Sequence, residues 1–188
     1  MALYSSAYLS CTIRLHQVKY KAKTGVPPVD RGMLMYYNMG KVENLQETNS
    51  IYSPADADKY VAYVKDYRLV LDVALPIFRW GVLYRDGKPT LLLNGFTSSD
   101  FDTNVYFKHT GRNWYRVDSA CFMHGFYLKE KDMIRVEEIN PYICKEAAAQ
   151  LAPYLRSSRP TITFFDLKPQ NINRYEIADF KEIVNTFR

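Results

Sequence analysis

Apolar positions gather into four short runs, each closing on polar or aromatic residues: Leu9–Val18 ("LSCTIRLHQV"), Gly32–Asn38 ("GMLMYYN"), Leu69–Phe78 ("LVLDVALPIF") and Thr161–Leu167 ("TITFFDL"). Several are almost continuously apolar instead of alternating, which fits strands covered on both faces, as in a parallel sheet. Helices are predicted between them. In "SPADADKYVAYVKDY", Ser53 suits an N-cap, Pro54 the first helical position, and Asp56 and Asp58 the positive end of the helix dipole. Tyr60, Val61 and Val64 then give the inner face. "NPYICKEAAAQLAPYLRSS" repeats this start with Asn140 and Pro141, places Ile143, Ala147, Leu151 and Leu155 at helical spacing, and is stopped or kinked by Pro153. The last helix, "NRYEIADFKEIVNTFR", is predicted to be capped by Asn173 with Glu176 and to bury a stripe of Ile177, Phe180, Val184 and Phe187.

Between the third and fourth runs the character changes. Residues 91–139 are rich in β formers and broken by "HTGRN". Val105, Phe107, Trp114, Tyr115 and Val117 around that turn predict a hairpin, and "DMIRVEEI" a further strand. The expectation is one α/β domain over residues 1–188, with an antiparallel β insertion at 91–139 ahead of the last β/α unit.

At 188 residues and 47% hydrophobic, the chain is long enough to bury a core in a single domain. A formal charge of +5 permits an acidic partner without demanding one. The 16 tyrosines are the outlier, and with 10 Phe they supply flat apolar faces with polar tips, suited to sugar rings, nucleobases or core packing. Cys11, Cys121 and Cys144 are odd in number and widely spaced, so neither a disulfide framework nor a metal clip is indicated. The opening "MALYSSAYLSCTIRLH" lacks a basic n-region and a sustained apolar core, so no signal peptide is expected: the chain is cytoplasmic if Met1 is the native start, exported if it is a truncation. No run approaches the 18 or so apolar residues of a membrane span.

The segment "MLMYYNMG" resembles the sixth barrel strand of family 18 glycoside hydrolases, the chitinases and endo-β-N-acetylglucosaminidases, which reads Met-x-Tyr-Asp followed shortly by Gly. "LVLDVALPIFRWGVLY" is similar to their seventh strand, with Ala74, Leu75 and Pro76 in step with its pattern and Phe78 near its aromatic. "LSCTIRLHQ" would then be the fifth strand and "TITFFDL" the eighth, with Phe165 or Phe164 in place of the floor tryptophan. A likeness to uncharacterised bacterial barrel proteins of this broader type is also present. The resemblance implies a partial TIM-type (β/α) barrel of about four parallel units, with ligands bound at the carboxyl ends of the strands. The family's Asp-x-x-Asp-x-Asp-x-Glu string, which supplies the proton donor, does not occur in this chain.

Under that resemblance Tyr37 and Asn38 occupy the Tyr-Asp positions that contact the substrate's acetamido group, and Tyr36 is expected to line the sugar site with them. Asn38 can donate and accept hydrogen bonds but cannot supply the negative charge that stabilises an oxazolinium-like cation. Asp166, at the end of the fourth run, is the best remaining carboxylate. Glycoside hydrolysis usually takes two carboxyl groups roughly 5 to 10 Å apart, for which Asp72 and Asp30 are the candidate partners. Strand alternation places Arg14 and His16 on one face, pointing together into the mouth. Arg79, Trp80, Tyr84 and Arg85 follow the third run, where an aromatic can stack on a pyranose and an arginine can bond its hydroxyls. His109 and His124 belong to no metal-ligand spacing, and no cofactor is expected.

GxxxxGK[ST], GxGxxG and GxSxG are absent. Basic residues interleave with aromatics in "RLHQVKYKAK" and "KHTGRNWYR", but an ordinary charged surface has the same composition, and nucleic acid is the disfavoured partner. The expected function is a glycoside hydrolase-like carbohydrate-binding barrel lacking its principal acid in this chain, and the alternative is a non-catalytic binding or scaffolding module. Half a barrel leaves two sheet edges, so a homodimer or a missing amino-terminal half is the expected protein partner.

Overall fold

The structure is a computed structural model that describes residues 7–157 and 159–188. In chain order its strands are β1 (Ser10–Arg14), β2 (Arg31–Met35), β3 (Val70–Pro76), β4 (Arg79–Arg85), β5 (Lys88–Asn94), β6 (Phe107–Gly111), β7 (Trp114–Val117), β8 (Cys121–Met123), β9 (Phe126–Leu128), β10 (Met133–Glu138) and β11 (Ile162–Phe165). Its helices are α1 (Leu15–Lys19), α2 (Lys21–Thr24), α3 (Pro54–Ala57), α4 (Ser98–Asp102), α5 (Pro141–Leu151), α6 (Pro169–Ile172) and α7 (Ile177–Asn185), with 3-10 turns at Val61–Tyr63 and Ala152–Tyr154.

The four apolar runs form one parallel sheet in the order β1-β2-β3-β11. Register pairs Cys11 with Gly32, Met33 with Asp72, and Thr163 with Ala74. Alternation gives the sheet two faces. Ile13, Leu34, Val73 and Leu75, all 0% exposed, share a core with Ala147, Leu151 and Ile183 of the covering helices. Each aliphatic side chain buried in this way contributes about 1.5–3 kcal/mol before conformational entropy is subtracted. Gly32 sits where a Cβ would lie 2.8 Å from both Ile13 Cγ1 and Leu71 Cδ2, so its neighbours fill the space that a side chain would take. The result is an α/β fold built as part of a (β/α) barrel.

Three helical expectations change. The first run ends as a strand at Arg14, and His16 lies in α1. Leu15 and Val18 are buried three residues apart, a helical spacing inside an apolar run, and the Gln17 side chain accepts the Arg14 N–H at 2.8 Å. Ser53 caps α3 with Pro54 at its start, but the α-helix ends at Ala57 and a 3-10 turn brings Val61 inward. At the carboxyl end Glu176, paired with Asp179, is the cap of α7; Asn173 instead closes α6. The later start turns the inner face to Ile183 and Phe187 and leaves Ile177 73% exposed.

The second sheet is antiparallel in the order β5-β4-β10-β7-β6, accompanied by the β8–β9 hairpin. It begins at Arg79, ahead of the expected boundary at Leu91, because the chain leaves β3 and turns after Phe78 directly into β4. The hairpin around "HTGRN" forms as β6 and β7, while Val105 lies before it and is 89% exposed. Leu83, Leu93, Phe96, Phe101, Tyr115 and Ile134 form this sheet's own core. A buried network fastens it to the loop after β2. Arg135 Nε donates to Glu137 Oε1 at 2.7 Å, and Glu137 Oε2 accepts from Ser50 N–H (2.7 Å), Ser50 Oγ–H (2.6 Å) and the Trp80 indole (3.0 Å). Arg135 also lies 5.4 Å from the ring centres of both Tyr84 and Trp114.

Candidate functional site

Beyond Met35, where β2 ends, the side chains of Tyr36 and Tyr37 turn to opposite sides. Tyr36 turns toward the helices. It is 0% exposed, and its hydroxyl and that of Tyr52 each donate to Gln150 Oε1 at 2.9 Å. It is therefore a core residue and not a ligand-lining one, which corrects the expectation. Tyr37 faces the other way, stacked on Phe165 at 5.3 Å and 7° and meeting Phe78 edge-on at 5.7 Å. Phe78 in turn packs against Trp80 at 5.3 Å. Burial pushes the Tyr37 phenol pKa up, which keeps it a neutral donor.

Asn38 is exposed and holds φ +53°, with its N–H donated to Ile51 O at 2.7 Å. Asn tolerates this left-handed conformation better than most side chains. Two residues on, a Cβ at Gly40 would meet the Ser50 backbone at 2.8 Å, so the glycine of "MYYNMG" permits two backbone segments to lie together. Asn38 forms the shared lip of two clefts.

The first cleft, about 310 Å³, is lined by Arg14, His16, Tyr37, Asn38, Met39 and Tyr60. Arg14 and His16 thus meet at the mouth, although His16 arrives from α1 and not from the strand. The second, about 250 Å³, is lined by Phe78, Arg79, Trp80, Phe165, Asp166 and Asn171, among others. Asp166 follows a cis peptide bond after Phe165. Its Oδ2 pairs with Lys168 Nζ at 3.0 Å and its Oδ1 accepts from Asn171 Nδ2. Trp80 is 9% exposed and spends its indole N–H on Glu137, so it contributes a wall and no free donor.

The other candidates lie elsewhere. Asp72 accepts from Arg31 Nε (2.8 Å), Arg31 Nη2 (2.5 Å) and the Thr161 N–H (2.7 Å), and Asp30 accepts the Leu9 N–H at 2.8 Å. Both therefore sit where the parallel strands begin, at the far end from Asp166, and neither can be its catalytic partner. Burial raises the Asp72 pKa, but Arg31 and the Thr161 N–H outweigh it and hold the carboxyl below its usual range. Tyr84 is bonded to Val42 O, and Arg85 to Asp132 at 2.6 and 2.8 Å, so neither reaches the clefts. His109 bonds Arg112 O and His124 faces Asp100. Among the described residues no group of three or more His, Cys, Asp and Glu could hold a metal ion.

Sequence reasoning left Phe164 and Phe165 as alternatives for the floor. Phe165 lies on the Tyr37 side, whereas Phe164 packs against Phe180 at 4.7 Å. Lys168 and Asn171 were missed, since only the short α6 after "DLKP" carries Asn171 back to Asp166. A larger cleft of about 670 Å³ lies at the amino end of β11, between Arg159 and Arg188, and takes in none of the expected residues.

No protein-family model matches the chain, and no curated protein matches its sequence. Solved structures do resemble it. A chitinase from Chromobacterium violaceum aligns with a TM-score of 0.53 at 9% identity, over 95% of this chain and 55% of that one. The spore cortex-lytic enzyme SleL of Bacillus cereus aligns with a TM-score of 0.50 at 12% identity, over 100% of this chain and 42% of that one. The chain thus spans about half the length of the structures it resembles. At these identities the likeness is one of fold: the chain shares part of the fold of these two enzymes.

Proposed function

We propose that this chain binds carbohydrate at the carboxyl ends of β1, β2, β3 and β11 and does not hydrolyse it unaided. The observation that carries the reading is the stacked pair of Tyr37 and Phe165, backed by Phe78 and flanked by Asn38, Asp166 and Arg79. A pyranose offers an apolar face to such rings and hydroxyls to such polar neighbours. Phe165, 47% exposed, is the ring open to a ligand. The fold likeness to a chitinase points to β-linked N-acetylglucosamine as the first sugar to test.

Asp166 is a single carboxylate, with Asp72 and Asp30 at the other end of the sheet and Asn38 where the family resemblance has Asp. In the substrate-assisted hydrolysis of the resembled family the proton donor comes from an Asp-x-x-Asp-x-Asp-x-Glu string that this chain lacks, which favours binding over turnover. The second carboxyl would come from further strands that cover the open edges of β1 and β11, in a second half-barrel or a second copy. The alternative, a module that has lost the chemistry altogether, is favoured by Asn38.

Titration with the N-acetylglucosamine tetramer, followed by calorimetry, tests the reading. Phe165→Ala is expected to weaken binding about tenfold, the scale of a lost ring contact. Asp166→Asn should leave affinity within about threefold, less than one hydrogen bond's typical contribution, with no product released by either protein. Hydrolysis by the unmodified chain that Asp166→Asn abolishes would overturn the non-hydrolytic part; failure to bind any sugar would overturn the whole.

A further inference from the structure

The cleft beside Asp166 is electrically unbalanced. Three charged residues line it: Arg79, Asp166 and Lys168. Lys168 already neutralises Asp166 at 3.0 Å, and nearby Glu138 is taken by Arg174 at 2.9 Å. Among the described residues Arg79 makes no side-chain hydrogen bond and no ion pair, and its Nε is buried without an acceptor. Burial and the like charge of Arg174 push its pKa down, against the weaker pull of Glu138 and Asp100, the signature of a cation short of a counter-charge. Asn171, in the same cleft, is 3% exposed, and its Nδ2–H donates to Asp166 as a second partner for that carboxylate.

An unpaired guanidinium in a cleft with one already-neutralised carboxylate calls for an anion. A guanidinium is matched in shape by a planar carboxylate, which takes two parallel N–H bonds. A sugar unit that carries a carboxylate supplies this, and the Phe78 and Phe165 rings at the cleft's edge give its apolar face a surface.

We propose that this cleft selects a carboxylate-bearing sugar, with the Arg79 guanidinium holding the carboxylate. This rests on the carbohydrate reading and narrows it from neutral to acidic glycans. Two sources share the chemistry, a uronic acid and the lactyl ether of a muramic acid. Neither adds a covalent step.

The experiment compares three tetrasaccharides by calorimetry: the neutral N-acetylglucosamine tetramer, a hyaluronan tetrasaccharide and a muramic-acid-containing peptidoglycan tetrasaccharide. At least one acidic probe is expected to bind about tenfold or more tightly than the neutral one, the scale of a hydrogen-bonded charge pair. Whichever it is identifies the source. Raising salt should shrink this preference. Arg79→Gln should bring the ratio below about threefold and Arg79→Lys should keep part of it, since a point charge without the fork retains attraction but not bidentate geometry. Thermal melts of both variants confirm folding, and an Arg79→Gln that fails to fold leaves Arg79→Lys and the salt series to decide. Equal affinity for all three probes, or a ratio indifferent to salt and to Arg79, overturns the acidic preference while sparing sugar binding. Binding of none overturns both.

Discussion

Asn38 carries two separate demands, one from the backbone and one from the cleft. Its φ of +53° is disfavoured for side chains that lack a local hydrogen-bonding group, so Asn38→Ala is expected to cost about 1 kcal/mol while Asn38→Gly costs little. Urea denaturation measures both, and equal losses would show that the conformation is not the cause. Asp72 illustrates the opposite kind of residue, a carboxylate whose charge serves the fold. Its pKa is lower in the folded than in the unfolded chain, so its stabilisation is complete above about pH 4, the unfolded carboxylate range, and disappears as pH falls through the folded-state value. Melting temperature should drop on acidification below about pH 4, and Asp72→Asn should lower the neutral-pH melting temperature while flattening that acid limb. An unchanged acid limb in the variant would assign the effect to other groups, with the buried Asp132 the first to consider.

At the scale of elements, the buried Arg135–Glu137 pair joins β10, the start of β4 and the loop after β2. Removing one partner strands a charge, so Glu137→Leu is predicted to destabilise by about 3–5 kcal/mol, and Arg135→Met added to it should recover much of the loss. Denaturant midpoints of the single and double variants check this, and a double variant as weak as the single one would contradict it. The elements also show what could be read in advance. Continuous apolar runs revealed four parallel strands because burial on both faces leaves a sequence mark. The Arg14–Leu15 boundary did not, since a single helical turn beneath a strand shows the same apolar density and only Leu15 and Val18 betray the change of period. Asp166, Tyr37 and Asn38 were legible as strand-end residues. Tyr36 was misassigned because the face on which an alternation falls is fixed by the neighbouring strands, and the placing of Arg79 and Asn171 on one cleft depends on a turn and a short helix that leave no periodicity at all.

At the scale of the whole molecule, among the described residues β1 and β11 are the end strands of the parallel sheet. Leu9 O accepts from the amides of Asp30 and Arg31, so alternation turns the Ser10 and Thr12 amides of β1 to the open side, while that of Arg14 is taken by Gln17. Exposed edges of this kind invite further strands. Sedimentation equilibrium at rising concentration should report masses above that of a single chain, and Thr12→Pro, which removes only an outward amide, should return the protein to monomer. A monomer at every concentration would show that the edges are protected. One last property follows from where the chain keeps its 2 tryptophans. Trp114 is sandwiched with Arg135 and Tyr84, whereas Trp80 walls the cleft with its indole tied to a carboxylate. Substituting Phe for Trp114 would leave a lone emitter beside the opening, and its colour and brightness would register a ligand's arrival without any label being attached.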